Sequence, residues 1–186
     1  MKKSAGFLLG AVLLSGCAQL ERAPYDLSHD QLAPYVQFVL DNTEYSLAPL
    51  PRVIVDRREM TLAYSGSASA LAFAPFALAW NGNIYLDHTR FDISQPRHRS
   101  TLVHELVHHG QYLAYQRAVA AGPNAVASLR ARKGWDCNKS LEHEAYAVEL
   151  KWAKQYDIEA YRSIDAVNVH QMAACPRGYR DQLFTE

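Results

Sequence analysis

The 186-residue sequence has no net charge, because 19 lysines and arginines balance 19 aspartates and glutamates. Without a basic excess there is no electrostatic case for binding nucleic acid or for a polybasic membrane patch. Internal repeats and low-complexity tracts are also lacking, so the sequence does not indicate a repeat architecture. The one clear apolar run, residues 5–14, is too short to span a bilayer as a mature helix. The rest of the chain is therefore expected to form a soluble body.

Cysteine is scarce, with three residues at positions 17, 137 and 175. Zinc thiolate sites normally contain closely spaced cysteine pairs, whereas Cys137 and Cys175 lie far apart in the sequence. Metal ligation is the alternative, but in an exported protein the two are expected to form a disulfide. In the chain-entropy model, closing a loop of about forty residues stabilises a fold by about 3–4 kcal/mol.

The N-terminus has the features of an export signal. Lys2 and Lys3 precede the apolar run, and the sequence Leu-Ser-Gly-Cys at residues 14–17 follows it. Small residues before a cysteine resemble the lipobox of bacterial lipoproteins, in which the cysteine sulfur takes a diacylglyceryl group. An ordinary signal peptide that ends at a cysteine is the alternative. The resemblance implies a mature chain that begins at lipidated Cys17, and two or three acyl chains anchor such a protein stably to a membrane.

The same resemblance predicts where the protein goes and how the chain is divided. Residue 18 is Ala rather than the Asp that retains lipoproteins in the inner membrane of enteric bacteria, so the expected location is the outer membrane, facing the periplasm. The expected parts are a signal peptide (1–16), a lipid-anchored tether (17–27) and one domain (28–186). Loss of residues 1–16 leaves 17 basic and 19 acidic side chains, so the mature protein stays close to neutral. A monomer is the expected state.

The pattern of apolar residues predicts strands between helices. The sequence Ser-His-Asp-Gln at residues 28–31 matches a capping box, and helical spacing after it predicts a first helix that ends near Asn42. Short runs predict strands at residues 51–56, 60–65 and 84–87, and Asn81-Gly82-Asn83 predicts a turn before the last of them.

The second half of the sequence has helical patterns. Ser100 and Ser140 are candidate N-caps, and Gly122-Pro123 marks a break. The predicted helices cover residues 101–120, 124–132, 141–156 and 158–174. This order of elements predicts an α+β fold with a small, mostly antiparallel sheet.

The helix at residues 102–111, LVHELVHHGQ, carries an unusual number of polar side chains. Residues four apart on a helix lie on one face, so His104 and His108 can bind one metal ion. Glu105 lies beside that pair and can reach a water on the metal. His109 is expected to lie outside the ligand set. The alternative is a buried helix whose histidines are satisfied by hydrogen bonds, but burying them with a glutamate carries a desolvation cost.

The motif His-Glu-Leu-Val-His at residues 104–108, with apolar residues on both sides, resembles the active-site helix of the zincin metallopeptidases. The resemblance implies a bound Zn²⁺, a minimal zincin-like fold, and a third protein ligand that leaves the fourth position for water. Some zincins take the third ligand from a nearby histidine, but here Gly110 comes two residues after His108 and position 114 is Ala. The third ligand is therefore expected on a later helix, as in the gluzincins.

The candidates for the third ligand lie at residues 141–146. Glu142 followed three residues later by Ala145 resembles the Glu-x-x-Ala-Asp signature of several membrane-associated gluzincin families, and by that match Glu142 is the ligand. Glu144 is the alternative, and His143 is a third candidate. Tyr146 stands where those families have Asp, so the match to the signature is incomplete.

The resemblance further implies the hydrolysis of peptide bonds in the cell envelope. Glu105 would act as general base on a metal-activated water, and Tyr146 and His143 are both candidates to donate a hydrogen bond to the oxyanion. The strand at residues 83–87 would form the sheet edge and bind an extended peptide. The alternatives are hydrolysis of another amide, such as a cell-wall peptide, and a non-catalytic lipoprotein that binds a partner or a structural metal. Glu105 favours catalysis, because a structural site does not need it.

Overall fold

The computed structural model describes residues 23–65, 75–135 and 138–162 of the chain. The elements within these ranges are β1 (Tyr25–Leu27), α1 (His29–Asn42), β2 (Val53–Val55), α2 (Arg57–Ser65), β3 (Ala77–Trp80), β4 (Asn83–Leu86), α3 (Pro96–Ala121), α4 (Pro123–Lys133) and α5 (Asn138–Tyr156). The last predicted helix, residues 158–174, is described only over residues 158–162, which are helical.

The four strands form one mixed sheet in the order β1–β2–β4–β3. The outer pairs, β1 with β2 and β3 with β4, are antiparallel, whereas the central pair of β2 and β4 is parallel. The prediction of an α+β fold is confirmed, and two of the three strand pairings are antiparallel. Within the described ranges, no helix is long and apolar enough to cross a membrane.

Helix α2 occupies residues 57–65, so the strand predicted at residues 60–65 is wrong. Asp56 directly follows β2 and caps the helix, because its Oδ1 accepts a hydrogen bond from the backbone N–H of Arg58 at 2.8 Å. The apolar run at residues 60–65 is too short to display helical periodicity by itself. The capping residue, which lies outside that run, therefore decides the structure.

Helix α3 begins at Pro96, five residues before the predicted start at Thr101. Pro96 takes the first helical position, where its missing N–H breaks no hydrogen bond. Ser100 is fully buried within the helix and is not its N-cap. Its hydroxyl instead donates to Glu149 of α5 at 3.0 Å, so the serine links two helices.

Other predicted helix ends agree more closely with the structure. The capping box of α1 is present: Ser28 Oγ accepts from the Gln31 N–H, and the Gln31 side chain accepts from the Ser28 N–H. Gly122 ends α3 as predicted. Helix α5 starts at Asn138, so Ser140 is not its N-cap.

A two-residue turn joins β3 to β4. Asn81 and Gly82 have positive φ angles of 49° and 79°, as a type I′ turn requires, so the predicted turn is confirmed. β4 pairs with β2 on one side and with β3 on the other. The prediction that residues 83–87 form the sheet edge is therefore wrong, because β4 is an inner strand, and among the described strands β1 and β3 form the two edges. The turn folds β3 back against the side of β4 that faces away from β2.

Helix α3 runs through the core and packs against α1 and α5. The side chains of Leu102, Val103, Leu106 and Val107 are fully buried on its inner faces. On α5, Ala145 is also fully buried, and its small side chain lets the two helices approach closely. This packing brings the face of α5 that carries Glu142 to the histidines of α3.

Gly110 is in close contact with the segment that follows α1. A Cβ added at Gly110 would lie 2.8 Å from the Cβ and Cγ of Tyr45, well inside van der Waals contact. We therefore expect Gly110→Ala to lower the free energy of unfolding by about 1–3 kcal/mol through overpacking. Denaturant unfolding measures this, and Ala147→Gly at an exposed position in the middle of α5 calibrates the helix-propensity difference. Equal or higher stability of Gly110→Ala would contradict the expectation.

Candidate metal centre

Potential ligand atoms from three side chains converge where α5 crosses α3. The Nε2 atoms of His104 and His108 lie 3.0 Å apart. They lie 3.2 Å from Oε2 and Oε1 of Glu142, respectively. Ligand atoms about 2.0–2.1 Å from a tetrahedral zinc ion lie about 3.3–3.4 Å from one another. The spacing of these three side chains therefore suits a metal ion held among them.

A carboxylate on α5 orients the first histidine. Nδ1 of His104 lies 3.0 Å from Oε2 of Glu149, so the Nδ1–H donates to that carboxylate. The other oxygen of Glu149 accepts from the hydroxyl of Ser100. Both Glu149 and Ser100 are buried. With the proton held on Nδ1, the Nε2 of His104 is left with a lone pair that faces Glu142.

An amide orients the second histidine. The Nε2 of Gln111 donates to the carbonyl of Leu141 and to Glu144, both at 3.0 Å. Its Oε1 is therefore turned to His108 and accepts from Nδ1 at 2.7 Å. The Nε2 of His108, like that of His104, is left with a lone pair that faces Glu142.

This arrangement attracts positive charge. Electron-rich atoms 3.0–3.2 Å apart repel one another unless a cation or a proton lies between them. Burial lowers the pKa of His104, but hydrogen bonds with Glu142 and Glu149 outweigh burial and raise that pKa to about 10. Burial alone would raise the pKa of Glu142, yet its hydrogen bonds with the two histidines lower it. A metal ion would replace the protons that these pKa values describe.

Glu144, the alternative third ligand, is not part of this group. Its Oε2 accepts hydrogen bonds from the Tyr45 hydroxyl, from Gln111 Nε2 at 3.0 Å and from Trp135 Nε1 at 3.3 Å. Lys133 Nζ lies 3.5 Å from its other oxygen. These partners hold the carboxylate beside Gln111, and through Gln111 it supports the orientation of the second histidine.

His143 and His109 do not belong to the group of potential metal ligands. His143 is exposed, because it follows Glu142 by one residue and is therefore rotated about 100° around α5. His109 is buried, and its Nε2 donates to the carbonyl of Pro49 at 2.9 Å. Burial lowers the pKa of His109, which favours its neutral form. The hydrogen bond from His109 to Pro49 connects helix α3 to the segment that follows α1.

Glu105 is buried beside the two histidines. Burial raises the pKa of Glu105, although His104 and His108 act in the opposite direction. The backbone of Ala79, on the edge strand β3, also lies close enough to the carboxylate to oppose this rise in pKa. A carboxylate whose pKa is moved toward neutrality is suited to accept and release a proton near neutral pH.

A cleft of about 770 Å³ leads to these residues. One wall is formed by β3 and its turn, and the other by α3 together with Tyr146 of α5. The Tyr146 ring lies edge-on to the His104 ring, with the centroids 4.4 Å apart. Burial and three nearby carboxylates raise the pKa of Tyr146 to about 12, so its hydroxyl stays protonated at neutral pH. Tyr146 therefore provides a hydrogen-bond donor next to His104.

Glu149 is a partner of His104 that was not among the residues predicted for the site. The available signal was its spacing: Glu149 follows Glu142 by seven residues, so the two carboxylates lie on nearly the same face of α5. The role of Ser100 depends on where α5 crosses α3, and no local pattern indicates it. The contact between Gln111 and His108 is local, because the two residues lie one helical turn apart on α3.

Glu149→Gln tests the orientation of His104. The amide keeps the size of the side chain but removes one of the two carboxylate acceptors, so we expect zinc affinity to fall by about 10–100-fold. Competition with a chromophoric chelator measures the affinity. Glu159→Gln, at an exposed position, is the matched control and should bind zinc like the wild type. Unchanged affinity in Glu149→Gln would show that this carboxylate does not orient the ligand.

Cys17, Cys137 and Cys175 lie outside the residues whose structure is described, so the lipid anchor and the disulfide stay predictions. Comparisons with protein-family models, with curated proteins and with solved structures found no match. Function must therefore be argued from the chemistry of the site itself.

Proposed function

We propose that this protein is a zinc-dependent metallopeptidase in which His104, His108 and Glu142 hold the metal. The observation that carries the proposal is the convergence of two histidine nitrogens and a carboxylate at 3.0–3.2 Å, with Glu105 beside them in an open cleft. Nitrogen and oxygen donors at this spacing suit zinc. Three protein ligands leave a fourth position for water, as catalytic zinc sites require.

The protein side chains have separate tasks in this proposal. Bound zinc would act as a Lewis acid and bring the pKa of a water toward roughly 7. Glu105 accepts a proton from the attacking water and passes it to the leaving amine. Tyr146 donates a hydrogen bond to the oxyanion. Of the two donors considered from the sequence, His143 is exposed, whereas Tyr146 lines the cleft next to His104.

The edge strand β3 offers backbone groups to a substrate. Trp80 and Asn83 flank the two-residue turn as a hydrogen-bonded pair. Two alternate residues of β3, Ala77 and Ala79, therefore direct their backbone groups away from β4 and toward the cleft. The Ala79 N–H lies beside Glu105. The remaining backbone groups of Ala77 and Ala79 can pair with an extended peptide that is added as a further strand.

A second candidate function is a non-catalytic lipoprotein that uses the same residues for a structural metal or to bind a partner. A closed structural site has neither an open coordination position nor a use for a buried glutamate beside the metal. Glu105 and the open cleft favour catalysis. Other amide bonds, including those of cell-wall peptides, are open to the same chemistry.

Zinc content and peptide hydrolysis in matched variants test the proposal. The full-length protein purified in detergent should contain about one zinc ion per chain. Glu105→Gln should keep the zinc but lose hydrolysis of an unfolded protein substrate by about 100-fold or more, because the general base is removed. Glu142→Ala should lose most of its zinc, whereas His143→Ala, at an exposed position, should keep both zinc and activity.

The outcomes separate the two candidates. Absence of zinc from the wild type would overturn the metal site, and zinc without hydrolysis would favour the non-catalytic candidate. Full zinc in Glu142→Ala together with loss of zinc in His143→Ala would show that His143, and not Glu142, is the third ligand.

We also propose that the protein is anchored by lipid on Cys17 in the outer membrane and faces the periplasm. The lipobox-like sequence at residues 14–17 and Ala18 support this location. In cells fed radiolabelled palmitate, the wild type and Cys137→Ser should incorporate the label. Cys17→Ser should not, because only Cys17 takes the acyl chains. Label that survives in Cys17→Ser, or wild-type protein recovered without label, would contradict the anchor.

A further inference from the structure

The cleft continues along α3 beyond the metal centre. Tyr112, Tyr115 and Val119 follow His108 by four, seven and eleven residues, a spacing that places them on one face of the helix. All three side chains line the cleft. The distance from His108 to Val119 along the helix is about 16 Å, enough for roughly five residues of an extended peptide.

Strand β3 runs beside this part of α3. At one point the backbone of Ala79 lies beside Glu105, next to the metal centre. Farther along, a Cβ added at Gly82 would lie 3.2 Å from a ring carbon of Tyr112. From Ala79 to Gly82 the chain therefore moves from the metal centre toward the C-terminal half of α3. The strand edge and the helix face form the two walls of one groove.

This part of the groove has no charged side chains among the described residues. Of the Asp, Glu, Lys and Arg side chains there, only Glu105 and Glu142 line the cleft, and both belong to the metal centre. Trp80 and Val119, which also line it, are 42% and 48% exposed. A charged substrate side chain would lose hydration here without meeting an opposite charge, because the polar side chains that also line this part, Asn81, Asn83 and Gln116, are neutral. An apolar side chain would bury surface against Trp80, Val119 and the tyrosines.

We infer that this apolar groove, formed by Trp80, Tyr112, Tyr115 and Val119, binds the residues that precede the scissile bond in an extended apolar peptide. The inference rests on the proposed function. Antiparallel strand pairs are the more common kind, and an added strand that pairs antiparallel with β3 runs opposite to the direction from Ala79 to Gly82, so its N-terminal residues lie at the turn. The substrate class is therefore unfolded polypeptide with aromatic or large aliphatic side chains on the N-terminal side of the cleavage point.

Internally quenched decapeptides with one varied position test this inference on the full-length protein. Phe, Leu, Asp or Lys is placed at each of three positions before and three positions after a common scissile bond. We expect kcat/KM to be about tenfold or more higher for Phe and Leu than for Asp and Lys at one or more preceding positions, and not at the following ones.

Variants of Val119 assign the preference to the groove. Val119→Glu should raise kcat/KM for the Lys peptide relative to the Phe peptide by about tenfold, and Val119→Lys should do the same for the Asp peptide. Zinc content should be unchanged in both, which shows that the metal centre has folded. Ala120→Glu is the matched control, because Ala120 is exposed and does not line the cleft, so its profile should equal that of the wild type.

The outcomes are distinct from those that test the proposed function. Equal rates for charged and apolar residues, a preference confined to the positions after the scissile bond, or an unchanged profile in both Val119 variants would each overturn the inference and leave the metallopeptidase standing. The same change in Ala120→Glu as in Val119→Glu would also overturn it. If the wild type binds zinc but cleaves no peptide, the proposed function fails and the inference falls with it.

Discussion

The arrangement of the site depends on the crossing of α5 over α3. A fully buried alanine, Ala145, lets the helices approach, and the approach places Glu142 within 3.2 Å of two histidines whose Nε2 atoms are 3.0 Å apart. The two nitrogens and the two carboxylate oxygens at this spacing repel one another unless a positive charge lies among them. The metal or proton that occupies the site therefore also stabilises the helix pair. Metal binding and the stability of the fold are linked through this one contact.

Helix α5 supplies more than the third ligand. Glu149 follows Glu142 by seven residues and so faces the same way, where it holds His104 directly. Glu144 follows by two residues and so faces away, where it holds Gln111, which in turn holds the second histidine. Three carboxylates of similar intrinsic acidity thus have three tasks, set by their positions around one helix. Because both Nδ1 protons have acceptors, both Nε2 lone pairs are free for a metal.

The edge strand connects the metal centre to the rest of the cleft. Its Ala79 backbone lies beside Glu105, and its turn packs on Tyr112 of the helix that carries the histidines. A hairpin whose outer strand pairs with no other described strand therefore lies next to the general base. The same strand forms one wall of the apolar groove, so the proposed chemistry and the inferred selectivity depend on a single element. Its position at the edge is what makes backbone groups available to a peptide.

Features that depend on a few neighbouring residues were determined by the sequence itself. The capping box of α1, the type I′ turn, and the placement of His104 and His108 on one face follow from local geometry and the helical period. Local patterns misassigned residues 60–65 and left Glu142 and Glu144 as alternatives, and the family resemblance misassigned the edge strand. The cap at Asp56, which lies just outside the short run, decided residues 60–65. Tertiary structure decided the other two points, because strand order and helix crossing arise from contacts between residues far apart in the chain, which a short window of sequence does not contain.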